Sequence, residues 1–158
     1  MVYRGHVANG VILLEGSVIL PEGAEVRVEL ATDLKEEEFR VGIDRELDRL
    51  AALPANWDHE GAPRIDPAII RATRNFVAKL PPNISSIPAV VPSAAGNLQL
   101  EWNAGRRSLE LEIEDPSTIH YLRWDPNEQI EEEDVFSIDD IGRTVNLIQW
   151  FERGLTDA

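Results

Sequence analysis

The chain has 158 residues, no cysteine, and 15 Lys and Arg against 29 Asp and Glu, for a net charge of −14. That length buries a substantial core without staples, and the missing cysteines exclude disulfides, thiolate nucleophiles and cysteine-based zinc sites while favouring a reducing compartment. The negative balance repels phosphate backbones and anionic lipid; it serves solubility alone or suits a basic protein partner.

Met1-Val2-Tyr3-Arg4-Gly5-His6 carries polar residues where a signal peptide is apolar, and no apolar run has the length of a membrane span, so a cytoplasmic location is expected. The first thirty or so residues read as β-structure. Val2-Tyr3-Arg4-Gly5-His6-Val7 and Val11-Ile12-Leu13-Leu14 flank Asn9-Gly10, a dipeptide that tolerates positive φ at both central positions of a tight hairpin turn. Leu20-Pro21-Glu22-Gly23 reads as a type I turn with proline at its first central position. The alternation of Ala24, Val26, Val28 and Leu30 with Glu25, Arg27 and Glu29 then predicts a third, half-buried strand.

Charge density jumps at Asp33-Leu34-Lys35-Glu36-Glu37-Glu38, marking a linker or a helix start. Phe39, Ile43, Leu47, Leu50 and Leu53 follow on one helical stripe that Pro54 ends, so a helix is expected over 35–53, weakened near its start by Gly42. After the loop Asn56-Trp57-Asp58-His59-Glu60-Gly61-Ala62, Asp66 before Pro67 is a helix entry. The helix over 66–80 turns Ile69, Ile70, Thr73, Phe76, Val77 and Leu80 inward, and Pro81-Pro82 stops it.

The period then changes to two. Leu98, Leu100 and Trp102, a turn at Asn103-Ala104-Gly105, then Leu109, Leu111 and Ile113 predict a hairpin with an acidic outer face. Ile119, Tyr121 and Arg123-Trp124 add a third strand. An acidic stretch over 128–134 precedes a last helix over 137–153, with Ser137 and Asp140 at capping-box spacing, a stripe of Ile141, Val145, Ile148 and Phe151, and Gly154 closing it. The expected fold is α+β: an N-terminal β-hairpin module over 1–33, then a domain over 34–158 in which a three-stranded antiparallel sheet packs against about three helices.

Tyr3-Arg4-Gly5-His6-Val7, Asn9-Gly10-Val11-Ile12, Leu14 and the later Leu20-Pro21-Glu22-Gly23 with Val26 and Val28 resemble a family of small prokaryotic antitoxins with an AbrB- or VapB-type β-module. The resemblance covers about a fifth of the chain. It implies a module that dimerises and touches operator DNA, a following segment that wraps a toxin, and a ribonuclease-type toxin as partner. Residues 1–34 carry Arg4 and Arg27 against Glu15, Glu22, Glu25, Glu29 and Asp33, a net charge of −3, which disfavours the DNA contact. Leu53-Pro54, Asn56-Trp57-Asp58, Glu60-Gly61-Ala62 and Leu100-Glu101-Trp102 resemble an uncharacterised bacterial domain with an NWDG loop and an LEW strand; His59 stands where that loop has glycine.

No nucleophile elbow, phosphate loop or dinucleotide fingerprint occurs, and His6, His59 and His120 lack metal-ligand spacing, so no catalytic residue, cofactor or metal is assigned. Asp58-His59-Glu60 beside Trp57 offers general acid–base groups, but adjacent side chains in a loop rarely converge; Asn56 and Asp58 are expected to cap backbone groups and Trp57 to plug the core. Glu101, Glu110, Glu112 and Glu114 are expected on one sheet face, where like charges oppose folding unless a cation such as Arg106, Arg107 or Arg123 faces them. The expected partner-binding set is Asn56, Trp57, Asp58, Glu60, Glu101, Glu110, Glu112 and Glu114. The function expected is a toxin-binding antitoxin or immunity-like protein, not an enzyme. An interaction domain unconnected with toxins is the alternative, and a hydrolase centred on Asp58, His59, Glu60 and Glu101 is the third reading.

Overall fold

A computed structural model describes residues 3, 5–14, 16, 18–28, 31–81, 84 and 86–156, with only the backbone of 31–37 and of 156. Val2, Arg4, Glu15, Glu29, Leu30 and Pro82 of the sequence reading lie outside the described residues. The protein is α+β, with a two-stranded sheet, a five-stranded antiparallel sheet and three helices among the described residues. No helix of these residues is long and apolar enough to cross a membrane.

Strands β1 (Gly5–Ala8) and β2 (Val11–Leu14) pair antiparallel, with Ala8 opposite Val11. Asn9 and Gly10 connect them at φ 51° and 78°, the doubly positive conformation that matches the twist of a two-residue hairpin. The second turn forms one residue later than the sequence suggests. The Ala24 amide donates to the Pro21 carbonyl at 3.2 Å, so Pro21 is the first residue of the turn and Gly23, at φ 76°, its third. Residues 24–28 form no strand, and Val26 and Val28 stay exposed; alternation makes a strand only where a neighbouring surface can take the apolar side.

Helix α1 (Ala31–Ala51) starts earlier than its apolar stripe. Phe39, Ile43, Leu47 and Leu50 are buried on it, while Leu53 packs against the core from beyond its end. Helix α2 (Pro67–Lys79) begins as the sequence indicates: the Asp66 carboxylate accepts the Ala68 amide at 2.7 Å and Pro67 takes the first turn. Arg74 of α2 clamps Asp44 and Asp48 of α1, and Arg40 of α1 donates to the carbonyls of Val77 and Leu80 that end α2.

The main sheet is a meander of β3 (Ala89–Pro92), β4 (Leu98–Ala104), β5 (Arg107–Asp115), β6 (Thr118–Asp125) and β7 (Ile130–Ser137). The sequence reading found the three middle strands and missed both rims. β3 is four residues ending in Pro92, which cannot donate in a ladder and so suits an edge. β7 holds the acidic run for which the sequence suggested no element; its edge position tolerates Glu131, Glu132, Glu133 and Asp134 in succession.

Leu98, Leu100, Trp102, Leu109, Leu111, Ile113, Ile119 and Tyr121 form the inner face, in one buried cluster with the stripes of all three helices. The Trp102 indole donates to the Ser86 carbonyl at 3.0 Å, so its polar edge is satisfied within the core.

Helix α3 (Ile141–Thr156) differs from expectation at both ends. Its cap is Asp140, whose carboxylate accepts the Arg143 amide at 3.0 Å, whereas Ser137 still belongs to β7. Its buried stripe is Thr144, Leu147, Ile148, Trp150 and Phe151, with Ile141 and Val145 only half-buried. Gly154 lies inside the helix and does not close it. A Cβ there would overlap the Arg107 guanidinium, so the glycine makes room for a side chain arriving from β5.

Candidate functional site

The outer face of the meander carries the acidic residues, in a register that fixes who meets whom. Glu101 of β4 stands directly opposite Glu110 of β5. Glu112 lies between Gln99 on one side and His120 on the other. The β5–β6 register shifts between Ile113 and Asp115, leaving Glu114 as the extra residue of a bulge. Glu114 thereby approaches His120, at 3.9 Å from carboxylate oxygen to Nδ1.

Among the described residues no arginine forms an ion pair with this row. Arg107 is bound to Asp125 and Glu128, and Arg123 to Glu132, all on the inner side. Among the described residues no ion pair brings Arg106 to these carboxylates. The compensation comes from neutral amides. Gln99 donates to Glu110 at 2.6 Å and Asn97 to Glu112 at 3.2 Å. Amides offset part of the cost of crowding without cancelling the charge. Partial burial pushes the Glu110 carboxyl up, the charge of Glu101 pushes it further, and the Gln99 amide opposes them.

The sign of this shift makes a prediction. A carboxyl raised in the native state binds more protons there than in the unfolded chain, so its favourable contribution is present in acid and is lost as pH rises through the raised pKa. Glu110→Gln is expected to raise stability at neutral pH by about 0.2–1 kcal/mol, the scale of one unfavourable cross-strand pair. Urea titrations of both proteins across the weakly acid range check it: the gain must shrink as the pH falls.

The same face presents Leu122, the 40% exposed Trp124, and Glu131, Glu133 and Val135 from β7. Trp124 pairs with Ser108 and Glu131, which places an aromatic anchor beside acidic neighbours. The sequence placed Trp124 on a strand without assigning it to this face, and gave Glu131 and Glu133 no strand at all. Asp125-Pro126-Asn127 was the available signal, a turn composition immediately after a strand, which announces another hairpin partner. Oxygens of Glu112 and Glu114 and a ring nitrogen of His120 lie within 4.8 Å of one another. Glu114 is exposed and Glu112 and His120 half-buried, and among the described residues no further ligand-directed feature accompanies them, so the trio counts as part of the acidic face.

The other expected site residues lie in loop 52–66. Asn56 and Asp58 do cap backbone: the Asn56 side-chain oxygen accepts the Gly61 amide at 2.7 Å, and one Asp58 oxygen accepts the amides of Glu60 and Ala62 at 2.9 and 3.0 Å. These bonds, that from Ala62 foremost, hold the Asp58 carboxyl below its ordinary range, which opposes a general-acid role. Trp57 does not plug the core; it is half-buried outside the core cluster and donates to the Pro63 carbonyl at 3.2 Å. Glu60 is exposed.

His59 adopts φ 64°, the left-handed conformation glycine favours. An L side chain there costs about 1–2 kcal/mol, part of which the greater freedom of an unfolded glycine would offset. His59→Gly is therefore expected to stabilise the protein by about 0.5–1 kcal/mol, read as a higher urea midpoint at unchanged slope.

The chain matches no protein-family model, no curated protein and no solved structure.

Proposed function

We propose that the protein acts by binding a basic protein partner through the outer face of its five-stranded sheet, as a toxin-neutralising antitoxin or immunity-like protein. The observation that carries this reading is the Glu101–Glu110 pair, crowded across two central strands and matched by an amide, not a cation. A partner's lysine or arginine placed there would relieve native-state repulsion, so binding gains what folding forgoes. Trp124 on the same face supplies the aromatic anchor that interface energetics favour. The toxin assignment rests on the N-terminal resemblance. In this reading hairpin β1–β2, whose Val7, Val11, Ile12 and Leu13 are exposed, serves self-association.

Co-expression with the product of the adjacent reading frame is the test. Rescue of growth from a toxic basic product, with a complex that forms at low salt and weakens at high salt, is the expected result. A stable complex without neutralisation would favour an interaction domain unconnected with toxins. Absence of any complex at low salt would eliminate the proposal.

A further inference from the structure

The inner side of the sheet carries a polar site of opposite sign, independent of the acidic face and of the function proposed for it. Between β6, β7 and α3 lies a cavity of about 320 Å³, whose wall carries Arg123, Arg143 and Arg153, one carboxylate, Glu132, and the polar or aromatic Tyr121, Asn146 and Trp150. Three guanidiniums against one carboxylate in the wall make this cavity locally cationic in a chain whose net charge is −14.

Glu132 of the wall and the neighbouring Asp134 engage Arg123 and Arg143 without exhausting them. Glu132 accepts the Tyr121 hydroxyl and one terminal nitrogen of Arg123, and Asp134 accepts one terminal nitrogen of Arg143 at 2.5 Å. Among the described residues Arg143 makes no hydrogen bond through Nε or Nη1. Two further donors of the wall, Arg123 Nε and Trp150 Nε1, are buried and make no hydrogen bond at all. Buried donors without acceptors are uncommon and costly, and these two lie behind the wall, closed off from the open space, so the donors that face a ligand are the remaining guanidinium nitrogens.

The guanidiniums are also held in position. Arg123 lies 5.1 Å over the Trp150 ring, and Arg143 lies 5.2 Å over Tyr121 and 5.1 Å over Phe136. Stacking fixes the guanidinium planes before a ligand arrives, which lowers the entropy lost on binding.

We propose that this cavity binds a small molecule through an oxyanion group, phosphate or carboxylate, held by Arg123 and Arg143 with Asn146 as a neutral donor. A guanidinium pair suits such groups geometrically as well as by charge. The volume, at the lower end of small-molecule sites, limits the ligand to a compact one.

The indole N–H of Trp150 and the Nε–H of Arg123 belong to residues that line the site and report on its occupation as immediate neighbours. Isotope-labelled full-length protein is titrated with inorganic phosphate and, separately, with succinate, at ionic strength held constant with chloride, and the two signals are followed by NMR. A saturable shift of both, with the Trp102 indole unmoved, is the expected result, and the anion that saturates first identifies the preferred group. Arg143→Gln is expected to weaken that binding about ten- to a hundredfold, the worth of one hydrogen bond to a charged group, with Arg143→Lys intermediate and Trp102 unchanged in both. Shifts that fail to saturate with either anion, or saturation that persists unaltered in Arg143→Gln, would overturn the proposal.

Discussion

Replacing Gly154 by alanine is expected to destabilise the protein by about 2 kcal/mol, although in an ordinary helix the same change stabilises by about 1 kcal/mol. The reversal comes from Arg107. Its side chain runs from the start of β5 to the last turns of α3, where Nε donates to Asp125 at 2.6 Å, Nη1 to the Trp150 carbonyl at 2.8 Å and Nη2 to Glu128 at 2.8 Å. The guanidinium also lies 4.7 Å over the Trp150 ring. Burial pushes the Asp125 carboxyl up, but Arg107 and the amides of Asn127 and Glu128 outweigh it and hold the group below its ordinary range. A methyl on Gly154 would occupy the guanidinium's place. An exposed arginine would swing aside at little cost. This one is 12% exposed and its partner Asp125 4%, so moving it strands a buried carboxylate. Arg107→Ala alone is expected to cost about 3 kcal/mol, the lower end for breaking a buried pair, because the two turn amides still bind Asp125. In that background Gly154→Ala should change sign and stabilise by up to about 1 kcal/mol. Urea unfolding of the four proteins closes the cycle. Additive effects would show that the glycine is not there for the arginine.

Reversing charge on the outer face should separate binding from folding. Glu101→Lys with Glu112→Lys places cations beside Glu110, so the native state loses a repulsion and the fold is expected to hold or gain stability. A basic partner would then meet like charge, and association at low salt is expected to slow by a factor of about 10–10³. Trp124→Ala should act differently, speeding dissociation at every salt concentration, because an aromatic anchor works after encounter. Association and dissociation rates at two salt concentrations, with thermal melts of each variant, distinguish the outcomes. A double lysine variant that melts as high as the parent and binds as fast would remove the acidic face from the mechanism.

The sequence was most informative where one surface alone decided a residue's place. The stripes of α1 and α2 and the inward residues of β4, β5 and β6 were legible because each side chain either enters the single core or does not. The cap of α2 was legible because Asp before Pro has few other uses. β7 was hidden by its composition. Its inward positions, Glu132 and Asp134, are polar because they answer Arg123 and Arg143, and no periodicity announces a strand whose buried side is ionic. Gly154 was read as a terminator because its reason lies 47 positions away at Arg107. Of the expected site residues, the four glutamates were grouped by simple alternation, and the bulge that turns Glu114 toward His120 was beyond it. The cationic cavity was invisible because its walls come from two strands and a helix, and no local run of basic residues marks it.

The two rims of the main sheet differ in kind, and the difference bears on how the protein behaves when crowded. β3 closes its side with a proline as its fourth and last residue, a barrier of shape that no change of solution removes. β7 guards the other side with the outward carboxylates Glu131 and Glu133, so an approaching strand meets a fence made only of charge. Such a fence stands at neutral pH and falls when the carboxylates are protonated. Acidification therefore opens the β7 margin of the main sheet to edge-to-edge growth and leaves the β3 margin as it was.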